Sequence, residues 1–284
     1  MDDMKSLPSI LLRSNIRVHK LFSTLRLKTV RFASGLPLIG DRFKYRPGVG
    51  AAPGNNYKEL YKDVPEFIDL WWHFVEPGFY QGRNSNPIFD IQWYRTEYLD
   101  EAQDNINPFL HFLQHGAHGN YNPCPLFDAH YYLSVYPDVE RAGLNPLVHY
   151  LAYGSSERRN PSPFFEAAWY LDRNPDVNRV GINPLSHYLL YGAHANRNPN
   201  PYFDTAWYRE KYLKNTDSQI NPLVHYILIG EKQGNQPSSR FHPELYLLDN
   251  PDVADAGASP LQHFLQFGLS EGRPALTEAS KFSN

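Results

Sequence analysis

Five histidines recur at one spacing: His111, His149, His187, His225 and His263, each 38 residues after the last. Imidazole titrates near neutral pH and is the commonest metal ligand, so the ladder first raises the question of a metal. Equivalent residues of stacked helical units lie about one helix-packing distance apart, ~8–10 Å. Two imidazoles on one zinc must each come within about 2.1 Å of it. Equivalent histidines therefore cannot share an ion, and no metal ligand is assigned. Each histidine is expected to use a ring nitrogen to hold a backbone carbonyl or the next unit's acidic cap, which makes these residues structural repeat positions. Cys124 lies between Pro123 and Pro125, where neutral packing is expected rather than nucleophilic chemistry. The chain holds no P-loop, no G-x-S-x-G and no H-E-x-x-H. Its carboxylates are spread along the chain, so no catalytic pair, cofactor-binding residue or cofactor is assigned.

Aromatic residues follow the same spacing, as Trp93-Tyr94, Tyr131-Tyr132, Trp169-Tyr170, Trp207-Tyr208 and Leu245-Tyr246. Faces with polar tips suit sugar stacking or a wet interface, but these positions keep a core register and are read as core. Trp71, Trp72, Tyr153 and Tyr191 are the candidates left for ligand or partner contact.

The elements that position these residues are themselves periodic. Phe89, Phe127, Phe165, Phe203 and Phe241 open five copies of 38 residues, with Pro108, Pro146, Pro184, Pro222 and Pro260 and the glycines Gly116, Gly154, Gly192, Gly230 and Gly268 at matching places. A fixed period of this size marks stacked supersecondary units that share a core. In the third copy, residues 165–174, 175–181 and 183–192 read as three short helices. The first opens at an acidic N-cap (Asp90, Asp128, Glu166, Asp204; His242 in the fifth copy) and the last at Asn-Pro or Ser-Pro. The recurring glycine is expected to close the last helix in the left-handed conformation. Copies one and four lack the Pro-Asp-Val piece of the others, so their middle helix is expected to change length or melt into a turn. The fold expected is all-α: about five and a half 38-residue helical repeats, solenoid-like, after a basic amphipathic N-terminal segment.

Charge divides the chain. Residues 1–50 carry ten Lys/Arg against three Asp/Glu, a balance of +7, and the remaining residues carry −10. On a helix of ~3.6 residues per turn, Leu11, Val18, Leu21, Phe22, Leu25 and Phe32 share one side, and Arg13, Arg17, Lys20, Lys28 and Arg31 lie roughly opposite. That pattern suits an anionic membrane surface, with Arg13, Arg17, Lys20, Phe22, Lys28 and Arg31 as the contacts and residues 5–40 as the segment involved. The organisation is a basic amphipathic segment (1–45), a turn-rich linker and cap (46–66), a degenerate half-repeat holding His73 and Gly78 (67–88), five repeats (89–278) and a tail (279–284). One cysteine excludes an internal disulfide framework, no apolar run reaches the ~18 residues of a membrane span, and an acidic repeat region argues against nucleic acid.

The unit F-D-x-x-W-Y-L-x-x-N-P-D-V-x-x-x-G-x-N-P-L-x-H-Y-L-x-x-G, matched nearly throughout by residues 165–192, resembles a repeat family. That family is found beside glycosyltransferase domains of bacterial cell-surface polysaccharide proteins and in some large bacterial surface proteins. The resemblance covers about residues 67–274 and carries over no functional residue. It implies a non-catalytic scaffold or binding module in exopolysaccharide or capsule biosynthesis, with a protein partner or a polysaccharide as ligand, in the cytoplasm or peripheral on the inner face of the membrane. A glycosyltransferase or a fragment of one, and a secreted adhesin-like surface protein, are the alternatives. Only residues 275–284 follow the stretch the resemblance covers, so the catalytic domain that such proteins usually append is not expected in this chain.

Overall fold

A computed structural model describes residues 84, 86–99, 106–116, 119 and 121–276. The basic segment with its six membrane-contact residues, the linker, Trp71, Trp72, His73 and Gly78 lie outside the described residues. So do residues 100–105 of copy one and the 279–284 tail.

The described residues are helical, with short helices recurring in the same order along the chain and no strand among them. The first helix of each copy is Ile91–Tyr98, Ala129–Val135, Ala167–Arg173, Thr205–Tyr212 or Pro243–Asp249. Asp90, Asp128 and Asp204 cap it, accepting from the amides of Trp93, Tyr131 and Trp207 at 3.1, 2.8 and 3.0 Å. Glu166 and His242 make no such bond. The glutamate is one methylene too long to fold back onto its own third amide, and burial pushes its carboxyl above the usual range. A second, unforeseen cap compensates. Asn84, Asn122, Asn160 and Asn198 sit seven residues ahead of the first helical amide and accept from it at 2.8–2.9 Å.

Middle helices form where Pro-Asp-Val stands, at Pro137–Arg141, Pro175–Val180 and Pro251–Asp255. In copy four the corresponding stretch is turn, as its sequence suggested. The third helix starts at Asn-Pro or Ser-Pro: Pro108–His111, Pro146–His149, Pro184–His187, Pro222–His225 and Pro260–His263. Each then widens into a π-helical segment ending at the recurring glycine, namely Phe112–Gly116, Tyr150–Gly154, Tyr188–Gly192, Tyr226–Gly230 and Phe264–Gly268. Its i→i+5 bonds are explicit, with the Ala193 amide donating to the Tyr188 carbonyl at 3.0 Å and Arg197 to Gly192 at 2.8 Å.

One contiguous core runs through the copies. Phe89, Phe127, Phe165, Phe203 and Phe241 are fully buried, each beside a buried tyrosine of the first helix and a buried ring of the third. Phe165 lies 5.1 Å from Tyr170 and 5.6 Å from Tyr188, and Tyr170 meets Tyr188 edge-on at 5.9 Å. Rings of this size each remove roughly 150–250 Å² from water, which is how helices of four to eight residues, marginal alone, are held. Neighbouring copies are tied through the turns that lead into them. Each copy first holds its own exit turn in place, the amides of Asp90, Asp128, Glu166 and Asp204 donating to the carbonyls of Pro123, Pro161, Pro199 and Pro237 at 2.9–3.1 Å. Asn200 Nδ2 donates to the Phe164 carbonyl, Ser238 Oγ to the Tyr202 carbonyl, and the Tyr202 ring meets Phe264 at 4.8 Å.

Candidate functional site

The histidine at the end of each third helix finds its partner within its own copy, 17 residues back. The tyrosine hydroxyl of the first helix lies within hydrogen-bond distance of imidazole Nδ1 in all five: Tyr94–His111 at 2.9 Å, Tyr132–His149 at 3.0 Å, Tyr170–His187 at 2.8 Å, Tyr208–His225 at 2.9 Å and Tyr246–His263 at 2.9 Å. This corrects the expectation of a backbone carbonyl or an acidic cap. Geometry explains the choice: the two short helices pack side by side, and a phenol is long enough to reach across the joint from a fully buried ring.

The recurring glycine completes the arrangement. A Cβ on Gly154, Gly192, Gly230 or Gly268 would collide with the hydroxyl of Tyr132, Tyr170, Tyr208 or Tyr246, and one on Gly116 with the Phe112 ring. None of these glycines has positive φ, so the expected left-handed closure is corrected too. Their role is close approach: the backbone must pass directly over the phenol oxygen. The left-handed residues lie four places later, at Arg158, Asn196, Gly234 and Gly272, and in the turns after the middle helices, at Gly143, Gly181 and Gly257.

Burial sets the electrostatics. It lowers the affinity of His111, His149, His187 and His225 for a proton, and the Arg159 and Arg197 guanidinium groups push His149 and His187 the same way. It raises the tyrosine hydroxyls, Tyr208 to about 12. In copies one to four the pair is therefore a neutral phenol on a neutral imidazole near pH 7. Arg159, Arg197 and Arg273 roof these pairs in copies two, three and five, each gripping an aspartate of the middle helix in fork geometry: Asp138, Asp176 and Asp252, at 2.8–3.0 Å. Arg197 and Arg273 also donate to Asn174 and Asn250. Copy four puts Asn235 in that place, bonded to the Tyr208 hydroxyl at 3.2 Å. Copy one puts Tyr121 there, stacked on Tyr98 at 4.7 Å.

Among the repeat positions left exposed, one carries mostly rings and large apolar side chains. Four residues beyond each histidine stand His115, Tyr153, Tyr191, Ile229 and Phe267. Tyr153 is 49% exposed, Tyr191 58%, Ile229 46% and Phe267 46%. Four of the five are rings, and each rests on the histidine below it: His115 at 5.0 Å, Tyr153 and Tyr191 at 5.8 Å and Phe267 at 5.5 Å. Tyr153 and Tyr191 thus share one repeat position, braced from beneath, while Trp71 and Trp72 lie outside the described residues. Ile229 and Phe267 were missed because only tyrosines near the glycine turns were considered; their place, one residue before the glycine, was visible in the period.

Among the described residues no group of three or more His, Cys, Asp or Glu is placed to hold a metal ion, and no helix is long and apolar enough to cross a membrane. Cys124 is buried and its thiol is pushed up to about 12 by desolvation, a protonated and unreactive state. No protein-family model, curated protein or solved structure matches the chain.

Proposed function

We propose that this chain is a non-catalytic helical-repeat scaffold, a solenoid of five 38-residue units and a preceding half-unit, that serves as a binding module in bacterial surface-polysaccharide assembly. What supports the reading is the distribution of its recurring groups. First-helix tyrosine hydroxyls and histidine Nδ1 atoms pair with each other inside each copy, and the column Tyr153, Tyr191, Ile229 and Phe267 is an exposed recurring surface of rings and apolar side chains. Rings standing at one repeat position, with polar tips and an apolar face, suit a linear ligand that repeats as the protein does, such as a polysaccharide. The polysaccharide itself comes from the family resemblance of the repeat sequence. The basic segment 5–40 would hold the module against an anionic membrane surface at the inner face.

Affinity electrophoresis of the full chain through gels cast with purified bacterial exopolysaccharides tests the ligand. The expected result is retardation in at least one gel, lost in Tyr153→Ala/Tyr191→Ala with the helical circular dichroism unchanged. Turnover of nucleotide sugars by the purified chain, with no retardation in any gel, would overturn the reading in favour of a transferase. For the membrane, flotation on anionic vesicles should require residues 1–45; equal flotation of the full chain and of residues 46–284 refutes that part.

A further inference from the structure

The joint between copies four and five carries a carboxyl that the other described joints lack. Glu231 stands where copies two, three and five have Ser155, Ala193 and Leu269. Its Oε1 accepts from the Tyr226 hydroxyl of its own copy at 3.1 Å and from the Ser259 hydroxyl of the next copy at 2.7 Å. Ser259 is itself a departure, since the first four copies cap this helix with Asn107, Asn145, Asn183 and Asn221. The serine hydroxyl faces both ways, accepting from the Gln262 amide at 3.2 Å while donating to the glutamate. The two departures form one bridge.

We propose that the Tyr226–Glu231–Ser259 bridge is a proton-controlled latch: with Glu231 protonated it holds copy five against copy four, and as the carboxyl ionises with rising pH this joint opens before the others. The groups acting on the carboxyl are the Tyr226 hydroxyl, the Ser259 hydroxyl and the Leu261 amide, three neutral donors and no cation. Lys232, its chain neighbour, is exposed, and the His263 ring, from the helix packed against it, is engaged with Tyr246. Desolvation outweighs the donors, so the closed-joint carboxyl titrates above its usual range. Its stabilising contribution is therefore complete below the open-state value near ~4.3 and is lost as pH rises through the closed-state value. Opening would also part Ile229 of copy four from Phe267 of copy five, interrupting the exposed column.

Amide hydrogen exchange of the full chain against Glu231→Gln reads this directly. Glutamine keeps an acceptor oxygen for both hydroxyls and cannot ionise, and comparison at each pH cancels intrinsic exchange. The Gln262 and His263 amides should exchange equally in the two proteins near pH 4, and faster in the wild type as pH rises, by up to about tenfold per pH unit between the open- and closed-state values. The Val224 and His225 amides, at the preceding joint, should show no such divergence. A ratio flat from pH 4 to 7.5, or the same rise at Val224, overturns the latch. Tyr226→Phe gives a second readout in a background the fold accepts, because Phe112 and Phe264 occupy this position in copies one and five. Losing a donor to the anion, it should speed exchange at Gln262 more at pH 7 than at pH 4.5; equal acceleration at both overturns the proposal.

Discussion

Gly192→Ala separates two explanations of the recurring glycine by sign. Gly192 does not have positive φ, so on backbone grounds alone alanine in this helical segment should stabilise by about 0.8–1 kcal/mol. The structure demands the opposite. The new Cβ would occupy the space of the Tyr170 hydroxyl, with Tyr188 Cδ2 at 3.2 Å and Tyr170 Cζ at 3.4 Å next nearest. Only displacement of Tyr170 relieves the collision, and this breaks its 2.8 Å contact with His187 in a fully buried setting. Losing that bond costs about 1–3 kcal/mol and overpacking a further ~1–3 kcal/mol, against the ~1 kcal/mol of helix gain. Tyr170→Phe loses the bond but removes the colliding atom. Gly192→Ala should then cost little in the Tyr170→Phe background, with the remaining 3.2 and 3.4 Å contacts tight but relievable. The double-mutant cycle should show favourable coupling of about 1–3 kcal/mol. Native-state hydrogen exchange at the Tyr170 and His187 amides is the right assay, because repeat arrays need not unfold in one step. A Gly192→Ala protein as stable as the wild type, or costs additive within ~0.5 kcal/mol, would refute the close-approach argument.

The other expectations are shorter. His149 and His187 have proton affinities lowered on folding, so the unfolded chain binds more protons and their stability, complete above about pH 6.5, is lost as pH falls through their folded values. Melting temperature should fall from pH 7 to 5, and His149→Gln/His187→Gln should flatten that slope; an unchanged slope would count against burial as the cause. Arg197→Ala should loosen the middle helix Pro175–Val180 only modestly, seen as faster exchange at Val177 with Tyr170 unaffected, since the ion pair is largely exposed. Cys124 should resist iodoacetamide at pH 8 in the folded chain and react on unfolding in urea, given its burial; rapid labelling of folded protein would contradict it.

The period made the core legible and the pairings illegible, for one physical reason. Any two recurring residues keep a constant separation, so Tyr170 and His187 look no more related than His187 and Glu166. Contact depends on how the helices turn, and the turn changes where α widens to π. That widening after His187 puts Gly192, rather than a side chain, above the phenol; nothing in Tyr188–Gly192 announces it. The aspartate caps were readable because their reach is local, and Glu166 failed because its reach is longer by one carbon. The Asn122, Asn160 and Asn198 caps shared the 38-residue spacing, but asparagine among prolines also reads as loop, and a bond seven residues away has no local signature. The exposed column was half read: Tyr153 and Tyr191 stood out as aromatic, while Ile229 and Phe267 needed the register to be followed rather than the residue type.

Departures from the period carry as much information as the period. The residue before each opening phenylalanine is Ile88, Leu126, Phe164, Tyr202 and then Arg240. The first three are buried, and Tyr202 lays its ring against Phe264 in copy five, so the position serves to meet a following unit. Arg240 instead lies exposed, its guanidinium reaching back to the Pro201 carbonyl at 3.4 Å. An apolar residue there would have left a hydrophobic face open to water or to another copy; a guanidinium gives the face to solvent. Arg240 and Glu231 both belong to copy four and are two departures in the stretch that leads to copy five. Among the described joints the Arg158–Asp172 pair between copies two and three is exposed, whereas the carboxyl between copies four and five is shut in with two hydroxyls, and so under the proposed latch the fifth copy is the one whose attachment answers to pH.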